Sequence, residues 1–283
     1  MAMPIPPDVK QCVVFLYITD KDGNTVPNGT GFLVAVSHPT DSARMFLYLI
    51  TAGHVTRQGN TGPLYAELHV RLMRRDGNPE LVRVPLVASG PGKTIFLPSD
   101  PAVDLAVIPF TPDPAKYEFK VIPDSLLPTE AEFKELPVQE GAEVFFAGLF
   151  IQYVSERANV PIVRFGRVAF ASDEPIPWAG VPRHLLLVEC SSYGGNSGAP
   201  VFYYLGAERN PGSLVVGTPL LKLAGVMMGA YQDVKPIQVV VSAPQVAVSM
   251  SNLGIAAVVP VSNLRDLLFG TELSARRAPV ASR

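Results

Sequence analysis

Strand-length apolar runs alternate along most of the chain with short polar stretches rich in turn-forming residues. The runs predict strands over 12–18, 31–36, 46–51, 67–73, 81–87, 102–110, 143–149, 162–172, 184–190, 199–204, 222–230 and 255–259. DKDGN turns between the first two, and RRDGN joins 67–73 to 81–87 as a hairpin. Pro101 and Pro112 bracket the 102–110 run. Two stretches have helical character instead. Residues 129–136 (TEAEFKEL) open on a Thr-x-x-Glu pattern, and 262–269 (SNLRDLLF) offer Ser262 as an N-cap and end at Gly270. The remaining TELSARRAPVASR is polar and basic and is expected to fray. Short strands at regular spacing argue for a sandwich or barrels. The stretch 112–141, rich in Pro and Glu and poor in strand signal, reads as a link between two halves.

Composition narrows the class. With 48% apolar and 17% charged residues over 283 positions, the chain can bury a substantial core as one large domain or two small ones. Most of the 28 prolines and 23 glycines are scattered between the runs, which suits many turns and argues against long helices. A net charge of -2 gives no pointer to nucleic acid or to an anionic membrane. No apolar run approaches the ~20 residues of a membrane span. No basic stretch precedes an apolar core in MAMPIPPDVKQ, so no signal peptide is read there. Cys12 and Cys190 are too few for a disulfide framework and are expected as buried free thiols. These features set the expectation of a cytoplasmic rather than a secreted protein. There is no H-E-x-x-H and no C-x-x-C, so neither a metal nor a cofactor is expected.

Three places carry chemistry. In SSYGGNSGAPV, glycines 194, 195 and 198 surround Ser197. A nucleophilic serine needs a tight turn that exposes its Oγ and aims two backbone N–H groups at one point, and glycines permit such a backbone. In YLITAGHV an apolar strand ends in small residues and His54 follows at once. The other histidines have plainer settings: His38 in a polar loop, His69 in an alternating strand, His184 at a strand start. In SDPAVDLAVIPF, Asp104 abuts a buried apolar run, where an acid is costly unless paired, and a histidine N–H is a suitable partner. A turn-capping role for Asp104, with Asp100 as the functional acid, remains the other reading of that segment.

Together T-A-G-H, D-L-A-V and G-N-S-G-A-P, in the order His–Asp–Ser, resemble the chymotrypsin-like serine proteases, in particular bacterial trypsin-like peptidases and the catalytic domain of the high-temperature-requirement proteases. GTGFLVAV (29–36) resembles the strand before the histidine, LAGVMMGA (223–230) the strand that lines the substrate, and NLGIAAVVPVSNL (252–264) the last strand and the start of the terminal helix. The resemblance implies an all-β fold of two antiparallel six-stranded barrels with a short C-terminal helix. The barrels would span 10–120 and 138–260, joined by a linker at 121–137 and followed by a helix at 261–270 and a flexible tail at 271–283. It implies a serine endopeptidase acting on polypeptides, with His54 as general base, Asp104 as its orienting acid, Ser197 as nucleophile, and the N–H groups of Gly195 and Ser197 as the oxyanion hole. The oligomeric state is not legible.

The sequence departs from the family in places. Asn196 stands where animal digestive members have an acid that pairs with a newly cut N-terminus, so no such zymogen switch is expected. Ala199 stands where Gly is usual. The matched specificity pocket comprises Ser191 and Ser192 with Met228, Gly229 and Ala230; it contains no acid, and Gly229 and Ala230 leave room. Cleavage after uncharged apolar residues of small to medium size is therefore expected, with Glu189 the one acid near enough to upset it. Two other readings are a pseudoprotease that binds peptides without cutting them, and a cysteine protease using Cys190, which lies outside the glycine turn.

Overall fold

A computed structural model describes residues 5–278, except 39, 42–43, 60, 137, 172–173, 206–207, 211–212, 215–219 and 238–246; for 208–210, 213–214, 233–237 and 247–250 the backbone alone is described. The strands gather into two lobes. In the first, strands run in the spatial order Pro79–Pro85, Glu67–Arg74, Val13–Thr19, Thr25–Ser37, Met45–Thr51 and Ala106–Pro109, as one curled antiparallel sheet. In the second, Ile162–Ala171, Leu186–Glu189, Ala247–Pro260, Leu220–Ile237, Pro200–Leu205 and Glu143–Gly148 close into a barrel. The all-β, two-lobe architecture read from the sequence is the one observed, with ladder closure complete only in the second lobe.

Period-two alternation explains how one strand serves two cores. From Val13–Thr19, residues Val14, Leu16 and Ile18 fill the first lobe, while Val13 and Phe15 pack with Ala147 and Leu149 of the second. In Glu143–Gly148, Val144 and Phe146 point into the barrel, and Phe145 joins Phe32, Val34, Tyr48, Phe202 and Val226 in a cluster between the lobes. That shared cluster is why the lobes form a single body: burying each such side chain stabilises by roughly 1.5–3 kcal/mol.

Several boundaries move. The expected 102–110 strand is only Ala106–Pro109, because 101–103 turn and leave Asp104 just outside the ladder. The 222–230 and 255–259 strands are the base of a much longer hairpin, Leu220–Ile237 with Ala247–Pro260. Ser172, the expected end of the 162–172 strand, lies outside the described residues. Residues 121–137 are not a bare linker. Ile122–Pro123 pairs in parallel with Thr25–Ser37, and Glu130–Glu135 is a helix closed by a reciprocal Thr129–Glu132 capping box. The terminal helix is Val261–Phe269, entered from Pro260, so Ser262 lies inside it and is not its N-cap. The segment after Gly270, expected to fray, forms a second helix, Thr271–Arg277, with Leu273 and Arg277 buried; 279–283 lie outside the described residues. Arg277 is held because its guanidinium donates to Tyr48 Oη (2.9 Å) and to the Leu268 carbonyl (2.6 Å).

Candidate active site

His54 leaves the end of Met45–Thr51 on a 3-10 turn, Gly53–Thr56. Thr51 pairs with Ala106 in the neighbouring strand, which sets Asp104 beside that turn. The approach needs Gly53, since a Cβ there would sit 2.9 Å from Asp104 Oδ1. The His54 backbone N–H donates to Asp104 Oδ1 (2.7 Å), and His54 Nδ1 meets Oδ2 at 2.6 Å. Both side chains are largely buried, with 23% and 13% exposure. Burial is the strongest influence on the Asp104 carboxyl and pushes its pKa up. The side-chain bond, charge and backbone N–H of His54, with the charge of Arg183, outweigh it and hold the group below the usual carboxylate range. Asp100 instead accepts the Ala102 N–H (2.8 Å) and caps a turn, so Asp104 is the acid that meets the histidine.

Ser197 comes from the second lobe, yet its turn is built against the first. Gly198 sits at φ +86, and a Cβ there would lie 2.0 Å from the Thr30 carbonyl oxygen and 2.3 Å from Thr51 Oγ1, so only glycine fits. The Thr30 N–H donates to the Ser197 carbonyl (2.9 Å), and the Gly198 N–H to that of Met227 (2.7 Å). Asn196, fully buried, braces the turn from inside: Oδ1 accepts the Tyr193 N–H and Nδ2 donates to the Leu149 carbonyl, both at 2.8 Å. Gly195 has φ +93. Among the described residues, the N–H groups of Gly195 and Ser197 donate to no backbone carbonyl. The Ser197 hydroxyl donates to the Met228 carbonyl (3.1 Å) and not to His54.

The five residues matched to the specificity pocket lie in two places. Ser191 is partly exposed, and Ser192 is buried with its carbonyl bound to Asn252 Nδ2 (2.6 Å). Met228 is buried, whereas Gly229 and Ala230 are partly exposed on the long hairpin. The room expected over Gly229 is filled. A hairpin of Ile176–Trp178 and Val181–Arg183 lays Trp178 there, its ring 3.2 Å from where a Gly229 Cβ would be. Trp178 also meets Tyr231 edge-on (4.7 Å between centroids), and the Tyr231 hydroxyl donates to the Pro177 carbonyl (3.0 Å). Glu189 is exposed at the end of its strand.

Three parts of this arrangement carried no assigned role in the sequence: the bracing by Asn196, the Thr30 contacts, and Trp178. Apart from Tyr193 beside Asn196, their partners are distant in the chain, so no local motif announces them. The other histidines and the two cysteines lie elsewhere. His69 is buried with Nε2 at 3.2 Å from Thr19 Oγ1, His38 stacks on Phe46, and His184 is exposed. Both cysteines are free and buried. Burial raises their pKa values to about 12 for Cys12 and about 11 for Cys190, which makes Cys190 a poor nucleophile. Among the described residues, no three His, Cys, Asp or Glu side chains come together in a way that could hold a metal ion, and no helix is long and apolar enough to cross a membrane.

A family model for a trypsin-like peptidase domain matches residues 29–207, well over half of the chain. The fold is similar to that of the MamO protease domain from Magnetospirillum magneticum, at TM-score 0.50 and 18% identity, with 91% of this chain and 96% of that one covered. It is similar too to the thermostable serine protease AL20 from an extremophilic microorganism, at TM-score 0.50 and 11% identity, covering 94% and 99%. No curated protein matches the chain in sequence.

Proposed function

The chain belongs to the trypsin-like peptidase domain family, and from that premise we propose that it is a serine endopeptidase working through His54, Asp104 and Ser197. The observation that carries the reading is the 2.6 Å contact of His54 with the buried Asp104, made where the glycine-flanked Ser197 turn docks on the strands preceding the histidine. The Asp104 carboxylate accepts a hydrogen bond from Nδ1–H and keeps the proton there, which leaves Nε2 as the basic nitrogen. The Ser197 hydroxyl turns from the Met228 carbonyl toward Nε2, gives up its proton as Oγ attacks the scissile carbonyl, and forms a tetrahedral oxyanion. The free N–H groups of Gly195 and Ser197 receive that charge. His54 then protonates the leaving amine, and water hydrolyses the acyl-enzyme by the same route in reverse.

On this reading Ser191, Ser192, Met228, Gly229 and Ala230 receive the side chain before the cut bond and the backbone leading to it. Without an acid among them, a buried Lys or Arg side chain would go unpaired, so cleavage follows uncharged residues. The test is labelling with a fluorophosphonate probe alongside digestion of a peptide library. Expected are labelling and cleavage by the native protein, both lost in Ser197→Ala, and few cuts after Lys or Arg. Well-folded protein that neither labels nor cleaves would leave the peptide-binding pseudoprotease as the better account. A dominant Lys or Arg signal that disappears in Ser197→Ala would overturn the pocket assignment alone.

A further inference from the structure

Thr30 sits in the second core strand, fully buried, with no place in the reaction described above. A buried threonine on a strand is ordinarily replaceable by valine, which has the same shape. Here the hydroxyl is used in both of its capacities. It donates to the Gly195 carbonyl at 2.6 Å, and it accepts the Leu149 N–H at 2.9 Å. Only a hydroxyl can do both with one atom. The Leu149 carbonyl takes Asn196 Nδ2, so Thr30, Leu149, Asn196 and Gly195 form a closed ring of contacts. The ring runs from the first lobe through the second and back into the nucleophile turn. The same residue's backbone N–H takes the Ser197 carbonyl, and its carbonyl takes Thr51 Oγ1, on the strand that leads to His54.

Resting on the endopeptidase reading, we infer that Thr30 is a positioning residue for the oxyanion hole: its hydroxyl fixes the Gly195–Asn196 peptide, which lies between the Gly195 and Ser197 N–H groups, so that both face the reacting carbonyl. Gly195 at φ +93 is free to rotate, having no side chain to lock it. Fixing its carbonyl against Thr30 restrains one side of the residue, and the packing of Leu149 and Ile151 around its Cα restrains the other. Without the hydroxyl, the Gly195 carbonyl and the Leu149 N–H are both left buried and unpaired. Rotating the Gly195–Asn196 peptide is then the cheapest relief, and the accompanying change in the backbone torsions on either side moves the Gly195 and Ser197 N–H groups off the oxyanion.

The test compares Thr30→Val, Thr30→Ser and Thr30→Ala with the native enzyme, using kcat and KM on one peptide, inhibition by a peptide aldehyde, and thermal unfolding. The aldehyde forms a hemiacetal oxyanion at Ser197 and so reports the hole directly. Thr30→Val is expected to lower kcat about 10- to 100-fold with KM within about twofold, the span for losing part of an oxyanion-hole donor. Aldehyde inhibition should weaken by a similar factor, and Thr30→Ser should restore both to within about threefold of native. Should Thr30→Val not fold, Thr30→Ala against Thr30→Ser carries the same comparison. A valine or alanine variant that folds and keeps native kcat and aldehyde affinity overturns the inference, as does a loss that serine fails to rescue. An inert native protein would instead overturn the endopeptidase reading, and this inference with it.

Discussion

A carboxylate as enclosed as Asp104 keeps its charge only through its company, and here the company is His54 twice over, by ring and by backbone N–H. Replacing it with Asn keeps the shape but removes the charge and admits the wrong ring tautomer. Asp104→Asn should lower kcat on the order of 10⁴-fold, with the fold retained by circular dichroism. The same group links stability to acid. Its pKa is depressed in the folded state, so its contribution is complete above the ordinary carboxylate value of 3.8 and disappears as pH falls through the lower folded value. Thermal midpoints of the native protein should therefore drop on acidification below that value, and those of Asp104→Asn should drop less steeply. Equal slopes would mean that Asp104 is not held charged by folding. The three candidate residues were legible because each has a local signature: small residues before the histidine, an apolar run after the acid, glycines around the serine. Thr30 was not, because its hydroxyl reaches a carbonyl 165 positions away.

At the scale of elements, strands revealed themselves by alternation wherever one face meets a core, and failed to where it does not. The Ile176–Trp178 and Val181–Arg183 hairpin escaped because its EPIPWAGVPR sequence is studded with prolines, which in sheets are confined to edges. Its turn is also disguised. Ala179 and Gly180 both take positive φ, 49° and 79°, where Asn-Gly would have been the readable form. Yet this hairpin shapes the site, setting Trp178 over Gly229 and Arg183 on the Ala102 carbonyl beside Asp104. Gly229→Ala would drive a methyl group into the Trp178 ring and move one or the other. The expected outcome is a rise in KM of several-fold and an altered library profile at positions before the cut, with kcat changed less. Restoration of the native profile in the double variant Gly229→Ala, Trp178→Leu would tie the effect to that contact. An unchanged profile in the single variant would separate Trp178 from substrate.

For the molecule as a whole, the second terminal helix ties back to the first lobe. Arg277 reaches Tyr48, the Arg276 guanidinium donates to the Lys93 carbonyl (3.0 Å), and Leu273 joins the cluster shared by both lobes. The exposed Lys93–Glu272 pair adds little. Composition alone made this segment look like a tail, since its polar and charged residues mask one buried leucine and one arginine that is itself buried. Ending the chain after Gly270 should lower the thermal midpoint by about 5–10 °C, the shift for losing some 2–3 kcal/mol in a domain of this size. Activity at room temperature should survive, because the helix touches none of the triad. An unchanged midpoint would show the second helix to be ornamental. One further consequence follows from Thr30 taking the Ser197 carbonyl across the lobe boundary. On the ribosome the first lobe emerges carrying His54 and Asp104, and Ser197 arrives only later. On the endopeptidase reading, competence to cut therefore waits until both lobes are made and docked, and the first lobe alone has none.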